Sequence, residues 1–210
     1  MADQPEVERR RGRPPEGVRE AIIEATLALI AERGVARLTT REIAREAGVS
    51  EASIYYHFED KPALIEAVIL DGILAPFQGF TREFPERAAA RPVDEALFEF
   101  ATRLSVFWER ILPLLSAVQS DRDLRSSFQK RINSLDLGPH RGVRLVGAYL
   151  KGQQDGGRIR DDIDPQQAAM LVCGACYLIG FQKHMLGPEA KRKLPPLRTT
   201  VAQVAALLAT

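Results

Sequence analysis

The chain has 210 residues, enough for one domain or two small ones with a hydrophobic core that needs no staples. Apolar residues make up 45% and charged residues 27%, which excludes a disordered or fibrous chain, and two cysteines exclude a disulfide scaffold. Twenty-nine Lys and Arg against 28 Asp and Glu leave a net charge of +1, so no global field draws an anionic partner.

Residues 1–15 are expected to be a basic flexible arm. Arg9, Arg10, Arg11 and Arg13 precede Pro14 and Pro15, and the pattern reads either as a solvated end or as a nucleic-acid arm. No apolar run marks a secretory signal there. The longest uncharged apolar window, residues 168–181, is 14 residues, short of a membrane span. A soluble, cytoplasmic protein with no membrane partner is expected.

Helical spacing then begins with Val18, Ala21, Ile22, Ala25 and Leu29, and Gly34 suits the stop. Thr39 and Glu42 form a capping box before Ile43, Ala44 and Ala47, and Gly48 closes that helix. Ser50 caps a third helix holding Ile54, Tyr55 and Phe58. Asp60 caps a fourth with Leu64, Ala67 and Val68, expected to end at Pro76. Residues 77–91, with three phenylalanines, read as a loose connection. Periodicity resumes at Leu97, Phe100, Leu104, Phe107 and Trp108. A polar helix follows over 121–137, with Leu124, Phe128 and Ile132 inside, broken by Gly138-Pro139. Val143, Val146, Tyr149 and Leu150 mark another helix, and 152–161 a glycine-rich turn. Asp164 caps a long helix through Met185, and Val201, Val204 and Leu208 mark the last. No alternating strand pattern appears, so the fold class is all-α.

Two short capped helices joined by Gly48-Val49-Ser50 make a helix-turn-helix over about 39–58. Gly48 tolerates positive φ, Val49 is an apolar peg, and Ala44 is small where helices cross closely. Such hairpins also occur in proteins that never touch DNA. The local sequence is more specific. Residues 39–61, TTREIAREAGVSEASIYYHFEDK, resemble the DNA-binding domain of TetR/AcrR-type transcriptional regulators, and the likeness extends from Glu16 to about Leu74. It is carried by the Thr pair, Ile43-Ala44, Ala47-Gly48-Val49-Ser50, Ile54-Tyr55-Tyr56-His57-Phe58 and Lys61. The resemblance implies an N-terminal three-helix DNA-binding domain over 16–76 and a C-terminal helical ligand-binding and dimerisation domain over 77–210.

The third helix is about seven residues long, so nearly all its outer surface can face a major groove. Ser50, Glu51, Ala52, Ser53, Tyr56 and His57 lie on or near that surface. The resemblance implies that Ser53, Tyr56 and His57 contact bases and nearby phosphates, and that the Tyr55 hydroxyl reaches a phosphate. Thr40, opening the second helix, can hold a phosphate oxygen, Arg41 can reach a guanine edge or a phosphate, and Lys61 lies beside the DNA backbone. Packing of Tyr56 and His57 on the first helix is the alternative. Residues 1–61 hold ten Lys/Arg and twelve Asp/Glu, the opposite of a basic footprint. Acidic residues of the first helix are expected to face away from DNA, with the arm supplying charge along phosphates or in a minor groove.

Nine of the fourteen aromatics fall in residues 77–149. They read as an ordinary helical core or as the wall of a cavity for an apolar or aromatic small molecule. Phe77, Phe80, Phe100, Leu104, Phe107, Trp108, Phe128 and Tyr149 are the candidate pocket residues, and the resemblance implies an effector there. No obvious charge marks the inward face, so a largely apolar ligand is expected. Residues 165–182 lack Lys, Arg, Asp and Glu altogether, so that helix should be buried on most faces. Ala168, Leu171, Val172, Ala175 and Ile179, with Val201, Val204 and Leu208, resemble half of a four-helix homodimer interface. A two-fold dimer would read a palindrome in double-stranded DNA. Cys173 and Cys176 read as small buried thiols, with neither the ligand count for a metal nor the strand–helix setting of a redox pair. No catalytic or cofactor motif is present, so no enzyme and no cofactor are expected. The expected function is a ligand-responsive transcriptional repressor. An activator or effector-independent regulator of the same fold is the alternative, with an all-α enzyme or carrier behind it.

Overall fold

The computed structural model describes residues 17–35, 38–120 and 122–209. Among them no strand occurs, and ten α-helices follow one another. Helix α1 (Val18–Arg33) ends where Gly34 turns to φ 75° and its N–H bonds back to the Ile30 carbonyl at 2.9 Å. Helices α2 (Thr40–Glu46) and α3 (Glu51–His57) bury Ile43, Ala44 and Ile54 against it. Helix α4 (Lys61–Ala67) supplies Leu64 and Ile65, closing a small core under the helix-turn-helix.

The chain does not break at Pro76. A π-helical stretch (Val68–Leu74) follows α4 and passes directly into α5 (Ala75–Ala88). In an α-helix a proline ring meets the carbonyl four residues back. Here the turns before it are wider: the Ala75 N–H bonds five residues back, to Leu70 O. That spacing admits Pro76, and the expected domain boundary at 76/77 falls inside one continuous helix. Nor are residues 77–91 a loose connection. Phe77, Phe80 and Phe84 recur at three and four, which is a helical stripe, and it packs on the core. Arg19 of α1 donates to Asp71 at 2.6 Å and stacks on the Phe58 ring at 5.4 Å, tying the first helix to the π stretch.

The body is built on α6 (Val93–Ser120), α8 (Pro139–Asp155) and α9 (Pro165–Leu186), and the packing of α9 on each of the other two is the most extensive in the fold. Helix α7 (Arg122–Ser134) packs against α6, and α10 (Leu197–Leu208) packs against α6 and α9. The expected glycine turn over 152–161 begins late, because α8 runs to Asp155 before Gly157 adopts φ 69°. After α9 a 3-10 stretch (Gly187–Arg192) leads on towards α10. Helix α9 meets α6 closely at Gly180, where an added Cβ would stand 2.6 Å from the Cβ of Trp108.

Burial within the chain corrects four of the expected interface residues. Ala168, Val172, Val201 and Leu208 are buried in the chain's own core, on the faces of α9 and α10 that meet their intramolecular neighbours. Leu171, another of the expected interface residues, does point outward, and with Leu178 and Met185 it forms a row seven apart along α9 that is 51–68% exposed. Ala175, Ile179 and Val204 are half-buried. Two helical stretches, Lys61–Ala88 and Pro165–Ala190, are long and apolar enough to cross a membrane by length and composition. The 14-residue window stopped at the first charge, whereas the helices continue past it.

Candidate functional site

The helix-turn-helix is held by local hydrogen bonds. The Thr39 side chain accepts from Glu42 N at 3.2 Å, while Glu42 Oε2 accepts from Thr39 N at 3.1 Å and from its hydroxyl at 2.8 Å. These bonds, the side-chain one foremost, hold the Glu42 carboxyl below its usual range. Gly48 takes φ 68° in the turn, where Val49 N–H bonds to Ala44 O at 2.9 Å. Ser50 Oγ accepts from Ser53 N at 3.2 Å and lies 2.9 Å from Ser53 Oγ. Ser50 Oγ thus accepts in the cap that starts α3.

The outer face carries Arg41, Glu51, Ala52, Tyr55 and Tyr56, all exposed. Tyr56 is 70% exposed, so the alternative that it packs on α1 does not hold. His57 divides differently: its ring is half-buried, edge-on to Tyr56 at 5.1 Å, and its buried Nε2 has no partner among the described residues. Thr40 and Tyr55 meet across α2 and α3. The Thr40 hydroxyl donates to Glu51 Oε1 and lies 3.4 Å from the Tyr55 hydroxyl. A carboxylate therefore occupies the polar corner where a phosphate oxygen was expected. Lys61 is also committed, since its Nζ donates to Leu38 O at 2.6 Å and pins the loop before α2. An ammonium keeps two further N–H donors in that position. The expected arm residues Arg9, Arg10, Arg11 and Arg13 lie outside the described residues.

A cavity of about 810 Å³ opens between α5, α6, α7, α8 and α9, inside the usual range for small-molecule sites. Phe77, Leu104, Phe107, Trp108 and Phe128 line it. Phe80, Phe100 and Tyr149 do not. Phe100 is fully buried against Phe84 at 5.2 Å, with Phe80 beside it at 6.2 Å, and Tyr149 sits edge-on to Phe84 at 5.5 Å. Tyr149 faces a separate hollow of about 310 Å³, and burial raises its phenol above its ordinary value. Helix α9 contributes Met170, Gly174 and Tyr177 to the cavity, with Tyr177 edge-on to Trp108 at 5.0 Å. These were missed because a helix apolar nearly all round gives no periodic signal for which face looks inward. The lining is not free of charge either: Arg82 and Arg141 belong to it. Trp108 is 8% exposed and its Nε1–H has no acceptor among the described residues.

Cys173 borders the cavity and Cys176 lies behind it. Burial pushes their thiols up to about 12 and about 11, so both are protonated at neutral pH and neither is a nucleophile. Among the described residues no cluster of His, Cys, Asp or Glu could hold a metal ion.

Comparison with known proteins agrees with this layout. Residues 22–68 match the family model "Bacterial regulatory proteins, tetR family". The chain is similar to the probable HTH-type transcriptional regulator ArpR of Pseudomonas putida, 41% identical over 167 residues, 73% of this chain and 74% of that protein. It is 38% identical to the class D tetracycline repressor protein of Escherichia coli over 53 residues, 25% of this chain and only 24% of that repressor. A TetR transcription regulator from Haloarcula marismortui ATCC 43049 superposes with a TM-score of 0.69 at 22% identity, over 92% of this chain and 98% of that one.

Proposed function

The chain belongs to the TetR family of bacterial regulatory proteins, and from that premise we propose that it binds a palindromic DNA operator as a homodimer, represses transcription, and releases DNA when a small molecule fills the cavity. The observation that carries this reading is the unbroken helical path from Lys61, beside the helix-turn-helix, to Phe77 on the cavity wall. A ligand that wedges Phe77, Phe107 and Trp108 apart acts on the same element that holds the loop before α2. It favours release to the extent that it binds the DNA-incompetent arrangement more tightly.

Tyr56, Ala52 and Ser53 are assigned to the major groove, with Arg41 reaching a base edge or a phosphate. Tyr55 and Thr40 take a phosphate once the Glu51 carboxylate swings away. Lys61 adds one phosphate contact while keeping its bond to Leu38. The outward face of α9, with Leu171, Leu178 and Met185, takes the dimer contact, and two recognition helices then sit about 34 Å apart. Regulators of this family are soluble DNA-binding proteins, and the cytoplasm is the compartment assigned to this one.

Selection of bound duplexes from a random pool tests the reading. A palindrome with half-sites one helical turn apart, or a multiple of it, is expected. Tyr56→Ala should then lose affinity for the selected site more than for random DNA. Lys61→Ala should lose affinity on both and reduce the salt dependence by about one counterion per half-site. Recovery of unrelated sequences, or equal losses on both DNAs for Tyr56→Ala, refutes base reading by this face. Removing residues 1–13 weakens binding if the arm follows phosphates; unchanged affinity at low salt takes the arm out of the site.

A further inference from the structure

Resting on the cavity reading above, we infer that its ligand is an amphipathic anion: a single oxyanion head of the carboxylate type on an apolar body. Charge complementarity points there. Among the described residues the lining has two arginines, Arg82 on α5 and Arg141 on α8, and no Asp or Glu. Neither guanidinium has a hydrogen-bonding or ion-pair partner among the described residues.

Several carboxylates on the surrounding elements already have partners. Glu99 accepts from Arg87 at 2.6 Å and also from Arg91. Asp136 accepts from Arg144 at 2.8 Å and has His140 at 3.1 Å, and Glu66 pairs with Arg131 at 3.6 Å. Arg82 and Arg141 have no such partner among the described residues, in contrast to Arg87, Arg91, Arg131 and Arg144. A guanidinium presents a planar fork of donors that suits a carboxylate.

Position sets the orientation of the ligand. Arg82 and Arg141 are exposed, so they belong to the solvent-facing rim of the cavity. Phe77, Phe107 and Trp108 form the apolar interior wall. The head therefore lies at the rim and the body inside, with Gln78 and the orphaned Trp108 Nε1–H as neutral donors along the way. A bare inorganic anion gives the aromatic wall nothing to bury, and an uncharged hydrocarbon leaves both arginines unused.

The test uses the full chain and a matched pair of fluorescent probes, anilinonaphthalene sulfonate and the uncharged phenylnaphthylamine. The sulfonate should bind at least about tenfold more tightly than its neutral counterpart, the effect of a charge-assisted hydrogen bond. Arg82→Gln with Arg141→Gln should abolish that preference and leave the affinity for the neutral probe unchanged. Arg45→Gln in α2, the same change of charge elsewhere, should keep the preference. Dodecanoate should displace the sulfonate from the unmodified protein and fail to displace the neutral probe from the double variant at the same concentration. Equal affinities for the two probes, or a preference that survives the double variant, overturns the anion assignment while the cavity stands. Failure of both probes to bind, with Trp108 emission unmoved, overturns the cavity reading and this inference together.

Discussion

Gly180→Ala offers the most direct check on the packing that shapes the cavity. In an isolated helix this change stabilises by roughly 1 kcal/mol, because alanine loses less backbone entropy. Here the new Cβ would stand 2.6 Å from the Cβ of Trp108, well inside the 3.4 Å at which ordinary contact begins. The atom it meets is fixed to the α6 backbone and no rotamer moves it, so α6 and α9 must separate. Overpacking of this kind costs about 1–3 kcal/mol. The net expectation is a loss of up to about 2 kcal/mol, and a Tm lower by up to roughly 8 °C for a chain of this length. Gly147→Ala is the control. Its Cβ would approach the Gln166 side-chain amide at 2.3 Å, but Gln166 is exposed and can rotate away. That variant should match or exceed the parent by up to about 1 kcal/mol. Thermal unfolding followed by circular dichroism and Trp108 emission, at one fixed protein concentration, measures both. A Gly180→Ala variant as stable as Gly147→Ala refutes the close α6–α9 crossing.

Three further outcomes are expected. Glu42 is held ionised below its ordinary value of 4.5, so its contribution to the helix-turn-helix is complete above that pH and is lost as pH falls through the lowered value; Thr39→Val should flatten this acid limb of the unfolding curve, and an unchanged limb would remove the capping box as its source. Cys173 and Cys176 should resist alkylation at pH 8 in the folded protein and react on unfolding, and because their thiols are raised from 9.0, stability should fall as pH climbs above about 9; rapid labelling of the native chain would contradict their burial. Leu178→Lys should give a folded monomer, since Leu178 is 51% exposed and a charge there disturbs only an intermolecular contact; a dimer that persists by sedimentation would move the interface away from the outer face of α9.

What the sequence determined by itself was set by bonds that span three or four residues. Thr39 with Glu42, Ser50 with Ser53, and Asp60 with Ala63 each cap a helix at the residue expected, and Gly48 turns with positive φ between α2 and α3. Such partners are adjacent in the chain, so their identity and spacing state the structure directly. Buried Ile22, Ile43 and Ile54 follow from the same local periodicity. The tertiary structure decided whatever depended on a distant partner. The π turns before Pro76 let α4 continue into α5, although a proline in the sequence signals a stop. Lys61 is drawn to the Leu38 carbonyl and the Thr40 hydroxyl to Glu51, contacts spanning 23 and 11 residues that no periodicity encodes. Helix α9 was the least legible element. Its apolar residues surround it, and only packing against α6 and α8 turns Ala168 and Val172 inward, brings Tyr177 to the cavity and leaves Leu171 and Leu178 outside. Arg82 and Arg141 reach one cavity because α5 and α8 converge on it, from positions 59 residues apart in a sequence where each reads as an ordinary surface cation.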